Sequence, residues 1–147
     1  NAVLKAKTFA KMSGLLTLAD DSGLEVDALG GRPGIYSSRY VKGTDEERCL
    51  KLLQEMKNVP REKRGAQFCS FIAIFNPQTE ELFTFKGICQ GEVSQQPKGH
   101  YGFDYDPIFF LPQPGKTVAQ LTPEEKDKIS HRGKALKKAR KVLKKFL

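Results

Sequence analysis

The stretch LADDSGLEVDALGG, residues 18–31, decides how the rest of the chain is read. A short apolar run, LLTLA (15–19), meets two adjacent carboxylates, Asp20 and Asp21, and Ser22 and Gly23 follow at once. The run predicts a strand that ends at the aspartates, and GLEVDALG (23–30) predicts a second, weakly alternating strand. Two readings of the junction stay open. Asp, Ser and Gly are good turn formers, so a plain strand-to-turn junction explains them when taken alone. The other reading is a hard-cation site, where a carboxylate holds Mg²⁺ against substrate phosphates. Ser22 would then offer its hydroxyl or backbone N–H to phosphate. Strand neighbours point to opposite faces, so the two carboxylates need not serve the same ligand.

Working outward, NAVLKAKTFAKMSG (1–14) predicts a helix. Ala2, Val3, Ala6, Phe9 and Ala10 recur at helical steps, Asn1 stands where it could cap the start, and Gly14 suits the C-terminal cap. GGRPGIYSSRY (30–40) reads as a Gly/Pro loop. Thr44 and Glu47 form a capping box. The helix it opens should run through Met56 with Cys49, Leu50, Leu53 and Met56 inward. AQFCSFIAIFN (66–76) is apolar on both alternating faces and suits a central strand. NPQTEE (76–81) turns the chain and LFTFKGICQGEV (82–93) returns as its partner. Residues 95–115 read as a long loop with short extended pieces. Ser130 is placed to cap a last helix whose Leu136, Ala139, Leu143 and Phe146 form an apolar stripe. The alternation implies one α/β domain over residues 1–147 with a mixed sheet.

Composition is that of an ordinary globule, with 39% apolar and 29% charged residues. No apolar run is long enough for a membrane span, and no secretory signal opens the chain. The net charge of +8 is local. Residues 128–147 hold nine Lys and Arg and no acid, and the other 127 residues hold 16 basic against 17 acidic groups. Nucleic-acid binding is therefore a weak expectation, and KALKKARKVLKKFL (134–147) reads first as a surface helix with a wet basic face. Cys49, Cys69 and Cys89 form no C-x-x-C pair, and their odd number argues against a disulfide framework. A reducing cytoplasm is the expected setting.

Two further stretches could carry chemistry. In GFDYDPIFF (102–110), Phe103 and Tyr105 alternate with Asp104 and Asp106. The plain reading is two aromatics anchoring a loop. The functional one is a platform on which a flat heterocycle stacks, a contact contributing roughly 1–3 kcal/mol per base in single-strand binders. In EEKDKISHRGKAL (124–136), Lys126, His131 and Arg132 gather around a helix start. That end of a helix disfavours cations unless an acceptor sits there. They are either a solvated basic face or donors to carbonyl or phosphate oxygens.

LADDSGLEVDALGGRPGIYSSRY (18–40), GFDYDPIF (102–109) and EEKDKISHRGKAL (124–136), in this order and spacing, resemble the inosine triphosphatase, or Ham1-like, pyrophosphatase family. NAVLKA (1–6) and the T-x-A-x-L of Thr117–Leu121 fit as well, so the resemblance spans essentially the whole chain. It implies hydrolysis of non-standard purine nucleoside triphosphates (ITP, dITP, XTP) to monophosphate and pyrophosphate with Mg²⁺, by a cytoplasmic homodimer. The implied fold is an elongated mixed sheet flanked by helices, in two lobes with a central cleft. Carried over by residue, Asp21 is the catalytic, metal-binding carboxylate and Asp20 its supporting neighbour. Lys5 and Ser22 contact the substrate. Phe103 stacks on the base, and Tyr105 and Asp106 line its pocket. Lys126, His131 and Arg132 lie near the base, the last two donating to its 6-oxo group. Asp104, in the same loop and counted with the substrate contacts, stands where the family usually has glycine; if that glycine needs φ > 0, Asp bears some strain, though less than most residues. Family members also carry, ahead of the residue matching Asn1, a first strand, an S/T-G-N-x-x-K phosphate loop and a metal-sharing glutamate. The resemblance implies that this piece by itself turns over little substrate and self-associates. The rival readings are an inactive family remnant and a nucleic-acid binder working through its basic C-terminal helix.

Overall fold

The computed structural model describes residues 1–147. Four α-helices and five strands follow along the chain: α1 (Ala2–Ser13), β1 (Thr17–Val26), α2 (Asp45–Glu55), β2 (Gly65–Phe75), β3 (Leu82–Val93), β4 (Phe109–Leu111), β5 (Lys116–Thr117), α3 (Pro123–Ile129) and α4 (His131–Leu143). The strands form one five-stranded sheet in the order β1-β2-β3-β4-β5. β3 pairs antiparallel with β4 through Glu92↔Phe110 and Val93↔Phe109, and β4 pairs antiparallel with β5 through Phe110↔Thr117 and Leu111↔Lys116. The architecture is α/β, as the alternation of elements predicts.

The chain divides into two compact units. The first comprises Asn1–Ser22, Cys69–Ile88 and Ser130–Leu147. Here β2 has two apolar faces, as its unbroken apolar run predicts. Ala73 and Phe75 pack with Ala2, Ala6 and Ala10 of α1, whereas Ile72 and Ile74 pack with Ala135 and Ala139 of α4. Burying an isoleucine fully contributes roughly 1.5–3 kcal/mol. Both helices present alanine because they lie close on the sheet. A Cβ added to Gly87 of β3 would stand 2.0 Å from the carbonyl oxygen of His131 and 2.6 Å from the nitrogen of Ala135. This closeness corrects two sequence expectations. Phe9 and Leu136 do not face inward; they are exposed, and the buried places go to Ala6 and Ala10 of α1 and to Ala135 and Ala139 of α4. Lys134 and Lys138 reach from α4 to donate to the carbonyls of Ile88 and Lys86 at 2.9 and 2.7 Å. That is a common way to blunt an open strand.

The second unit comprises Gly23–Phe68 and Cys89–Ile129. Its core gathers Leu24, Val26, Cys49, Leu52, Met56, Phe68, Tyr105, Ile108, Phe109, Val118 and Leu121 among others. Helix α2 begins as its sequence predicts: Glu47 N–H donates to Thr44 Oγ1 (3.2 Å) and Thr44 N–H to Glu47 Oε2 (3.3 Å). Leu52 takes the inward place expected of Leu50, which is exposed. Arg64 is buried, and its guanidinium donates to the carbonyls of Met56, Val59, Val93 and Ser94.

Other ends follow their sequence signals. Gly14 takes a left-handed conformation (φ 72°) and closes α1 on the Ala10 carbonyl, and Ser130 Oγ accepts from Gly133 N–H at the start of α4. Asn1 occupies the cap position of α1 without a side-chain capping bond. All three cysteines are buried, and none is in a disulfide. No helix is long and apolar enough to cross a membrane.

Candidate functional site

The aspartate pair sits inside a continuous strand. The sequence suggests that the chain turns after Ala19, but β1 runs from Thr17 to Val26 through Asp20, Asp21, Ser22 and Gly23. Gly23 is required by a close approach and not by a turn. A Cβ there would lie 2.4 Å from the carbonyl oxygen of Gly34. Ser37 completes that contact in the second unit, its Oγ accepting from Leu24 N–H (2.8 Å) and donating to the Gly34 carbonyl (2.7 Å).

Strand alternation then separates the two carboxylates within the first unit. Asp21 shares a face with Ala19, which packs against the α1 cluster, and its Oδ1 pairs with Lys5 Nζ of α1 at 3.2 Å. Lys5 also reaches the Asp20 carbonyl at 3.3 Å. Asp20 faces α4, where its Oδ2 accepts from Arg132 Nε at 2.8 Å. Each acid therefore has a cation from a different helix. Both pairs are partly exposed, so each is worth about 0–1 kcal/mol as a stabilising contact. That is too little to explain the placement by stability alone. Ser22 Oγ is buried with no hydrogen-bond partner. His131 opens α4 beside Arg132. The structure thus brings together Lys5, Asp20, Asp21 and Arg132 of the sequence-predicted set.

No group of three metal-ligating side chains gathers in the chain. That donor set excludes a closed protein cage, but it fits Mg²⁺, which is commonly held by one or two carboxylates plus substrate phosphates.

The second unit holds the aromatic loop. Phe103 is half exposed, and Lys126 Nζ lies 4.2 Å from its ring centroid. Lys126 also pairs with the buried Asp106 at 2.5 Å, and the same Asp106 Oδ2 accepts from Phe103 N–H at 3.0 Å. Gly102 permits this fold-back: its φ is 82°, and a Cβ would stand 2.1 Å from Asp106 Oδ2. Asp104 adopts φ 54°, the left-handed conformation expected at a position where glycine is usual. Tyr105 is fully buried and donates its hydroxyl to the Ser37 carbonyl at 2.7 Å. Burial raises its phenol pKa well above the usual value. Tyr105 and Asp106 are buried beneath the loop, and Phe103 is its displayed ring.

Sequence reasoning missed the support under this loop. Asp45 Oδ2 accepts from Asp104 N–H at 2.9 Å while Oδ1 pairs with Arg48 at 2.6 Å. The Arg48 hydrogen bond, then that from the Asp104 amide, holds the Asp45 carboxyl below its usual range. Cys49 Sγ donates to the Asp104 carbonyl at 3.3 Å, and burial pushes its thiol up to about 12. The capping box marks the start of α2; nothing local in the sequence says which distant loop its first turn will hold.

The α/β fold carries a split aspartate pair in one unit and an aromatic loop in the other. The comparisons make it specific: the Ham1 family model matches residues 1–142, and this chain belongs to the Ham1 family. It is 52% identical over 140 residues to a dITP/XTP pyrophosphatase of Yersinia pseudotuberculosis, covering 93% of this chain and 71% of that protein. It is 46% identical over 145 residues to a dITP/XTP pyrophosphatase of Bacillus subtilis, covering 97% and 73%. The solved structure of a HAM1 protein from Coxiella burnetii superposes with a TM-score of 0.91 at 41% identity, covering 98% of this chain and 75% of that one.

Proposed function

We propose that this protein hydrolyses non-standard purine nucleoside triphosphates (ITP, dITP and XTP) to the monophosphate and pyrophosphate, with Mg²⁺. The observation that carries the reading is the split pair on β1, where two adjacent carboxylates are each matched by a cation from a different helix. The names borne by relatives at 46–52% identity support the substrate class.

In this reading a water oxygen attacks the α-phosphorus and the bond to the bridging oxygen breaks, releasing pyrophosphate. Asp21 orients that water and would hold the metal together with the substrate phosphates; when bound, Mg²⁺ neutralises phosphate charge. Lys5 and Ser22 meet the phosphates. Asp20 positions Arg132 through their ion pair. His131 and Arg132 donate to the 6-oxo group, and Phe103, flanked by Lys126, stacks on the purine. ATP offers a 6-amino donor where ITP offers an acceptor, so ATP is disfavoured. The protein works in the cytoplasm as a homodimer, a reading supported by the exposed Leu4, Met12 and Leu15 on and just after α1. Nucleic acid is not its partner. Two of the α4 lysines are engaged with β3 carbonyls, as expected of a surface helix.

The test is product analysis with ITP, XTP, GTP and ATP in the presence and absence of Mg²⁺. Metal-dependent monophosphate and pyrophosphate from ITP and XTP, with ATP at least tenfold slower, is expected by the hydrogen-bond argument. Equal rates on ATP and ITP would overturn the selectivity. Light scattering should find two chains per particle.

A further inference from the structure

We infer that Asp45 is a positioning residue for purine recognition: its carboxylate clamps the Asp104 peptide and thereby aims the Phe103 ring. The inference rests on the proposed stacking role of Phe103. Asp104 stands at φ 54°, a conformation that a non-glycine residue leaves readily unless its surroundings hold it. Here both polar ends of the residue are held by the first two turns of one helix. The N–H donates to Asp45 Oδ2 at 2.9 Å and the carbonyl accepts from Cys49 Sγ at 3.3 Å. Asp45 is itself held by Arg48 at 2.6 Å, and Arg48 is anchored to the carbonyls of Val41 and Gly43 at 3.2 and 2.8 Å.

The neighbours on either side of the clamp divide the work. Tyr105 goes down into the core and ties to Ser37. Phe103 comes up and remains half exposed beside Lys126. A rotation of the Asp104 peptide would swing the Phe103 ring directly, because the two residues share a peptide bond. Asp45 itself is four tenths exposed, so burial does not explain its place, and it touches the loop only through this one amide in the contacts described. A misaimed platform weakens binding of the base and leaves the phosphate chemistry alone. The effect therefore belongs in KM for a nucleotide and not in affinity for a base-free polyphosphate.

The experiment compares wild type, Asp45→Ala and Asp45→Asn. It reads kcat and KM for ITP, inhibition by inorganic tripolyphosphate, and hydrogen exchange of the Asp104 amide. Asp45→Ala should raise KM for ITP about tenfold with kcat changed less than about twofold. It should also lose Asp104 protection and leave tripolyphosphate inhibition as in wild type. Asp45→Asn keeps an oxygen acceptor and should recover most of the KM. Unchanged KM, an equal loss of tripolyphosphate affinity, or an Asn variant as poor as Ala would each overturn the clamp. If Asp45→Ala does not fold, Cys49→Ala removes the other end; it should raise KM for ITP alone, and wild-type behaviour would count against the inference. A wild-type protein that ignores ITP would instead sink the function on which the clamp rests, whereas Asp104 exchange still reads the clamp itself.

Discussion

At the scale of single residues, the aspartate pair and the three cysteines make contrasting cases. Asp21 is partly exposed and meets only Lys5 among the side chains described. Asp21→Asn is nearly isosteric and should leave melting unchanged while abolishing pyrophosphate release; wild-type rates would refute its role. Asp20→Asn weakens one exposed ion pair to Arg132, so its cost in folding should stay under about 1 kcal/mol, and turnover should fall less than in the Asp21 variant. The cysteines are the inert case. All are buried, and the Cys49 thiol is pushed up to about 12 by desolvation. The thiolate is the reactive form, so native protein at pH 8 should resist iodoacetamide at all three positions, as mass spectrometry can show. Rapid alkylation of Cys49 would contradict the packing beneath the aromatic loop.

At the scale of elements, helix ends were legible and helix faces less so. Thr44 with Glu47, Ser130 and Gly14 act through bonds a few residues long, and each stands where its sequence says. Phe9, Leu50 and Leu136 obey helical spacing yet face outward, because the most buried places are taken by alanines of α1 and α4 and by Leu52 of α2. The continuous β1 was hidden for a similar reason. Gly23 answers to Gly34, eleven positions on, and a local reading sees only a turn former. Gly87 shows what such contacts cost. Gly87→Ala would drive a methyl into the α4 backbone at 2.0 Å. Overpacking of this kind typically costs about 1–3 kcal/mol, so thermal unfolding should shift down and the start of α4, with His131 and Arg132, should be displaced. An unchanged melting temperature would show that α4 does not sit on β3 so closely. The Asp45 clamp has its own pH signature. A carboxyl depressed in the folded state contributes stability that is fully present above its unfolded pKa and lost as pH falls through the folded value. Asp104 amide protection should therefore persist through the mildly acidic range and fail only below the ordinary aspartate pKa.

For the whole molecule, the family was readable from motif order. The acids of β1, Lys5 and Arg132 come together as charges, and Phe103 is displayed. That Tyr105 and Asp106 are buried while Phe103 is displayed was not legible in the sequence, because only packing reveals which side of a loop is down. Selectivity follows from donors. If Arg132 reads a 6-oxo group, Arg132→Ala should compress the ITP-to-ATP preference by one to two decades, since an unpaired buried donor costs about 1–3 kcal/mol; an unchanged ratio would remove Arg132 from base recognition. The central claim is the reaction itself, and quantifying the products of ITP with the full-length gene product tests it most directly. The account predicts Mg²⁺-dependent inosine monophosphate and pyrophosphate in equal amounts, lost in Asp21→Asn. Inosine diphosphate with orthophosphate, or no metal-dependent turnover at all, would contradict it.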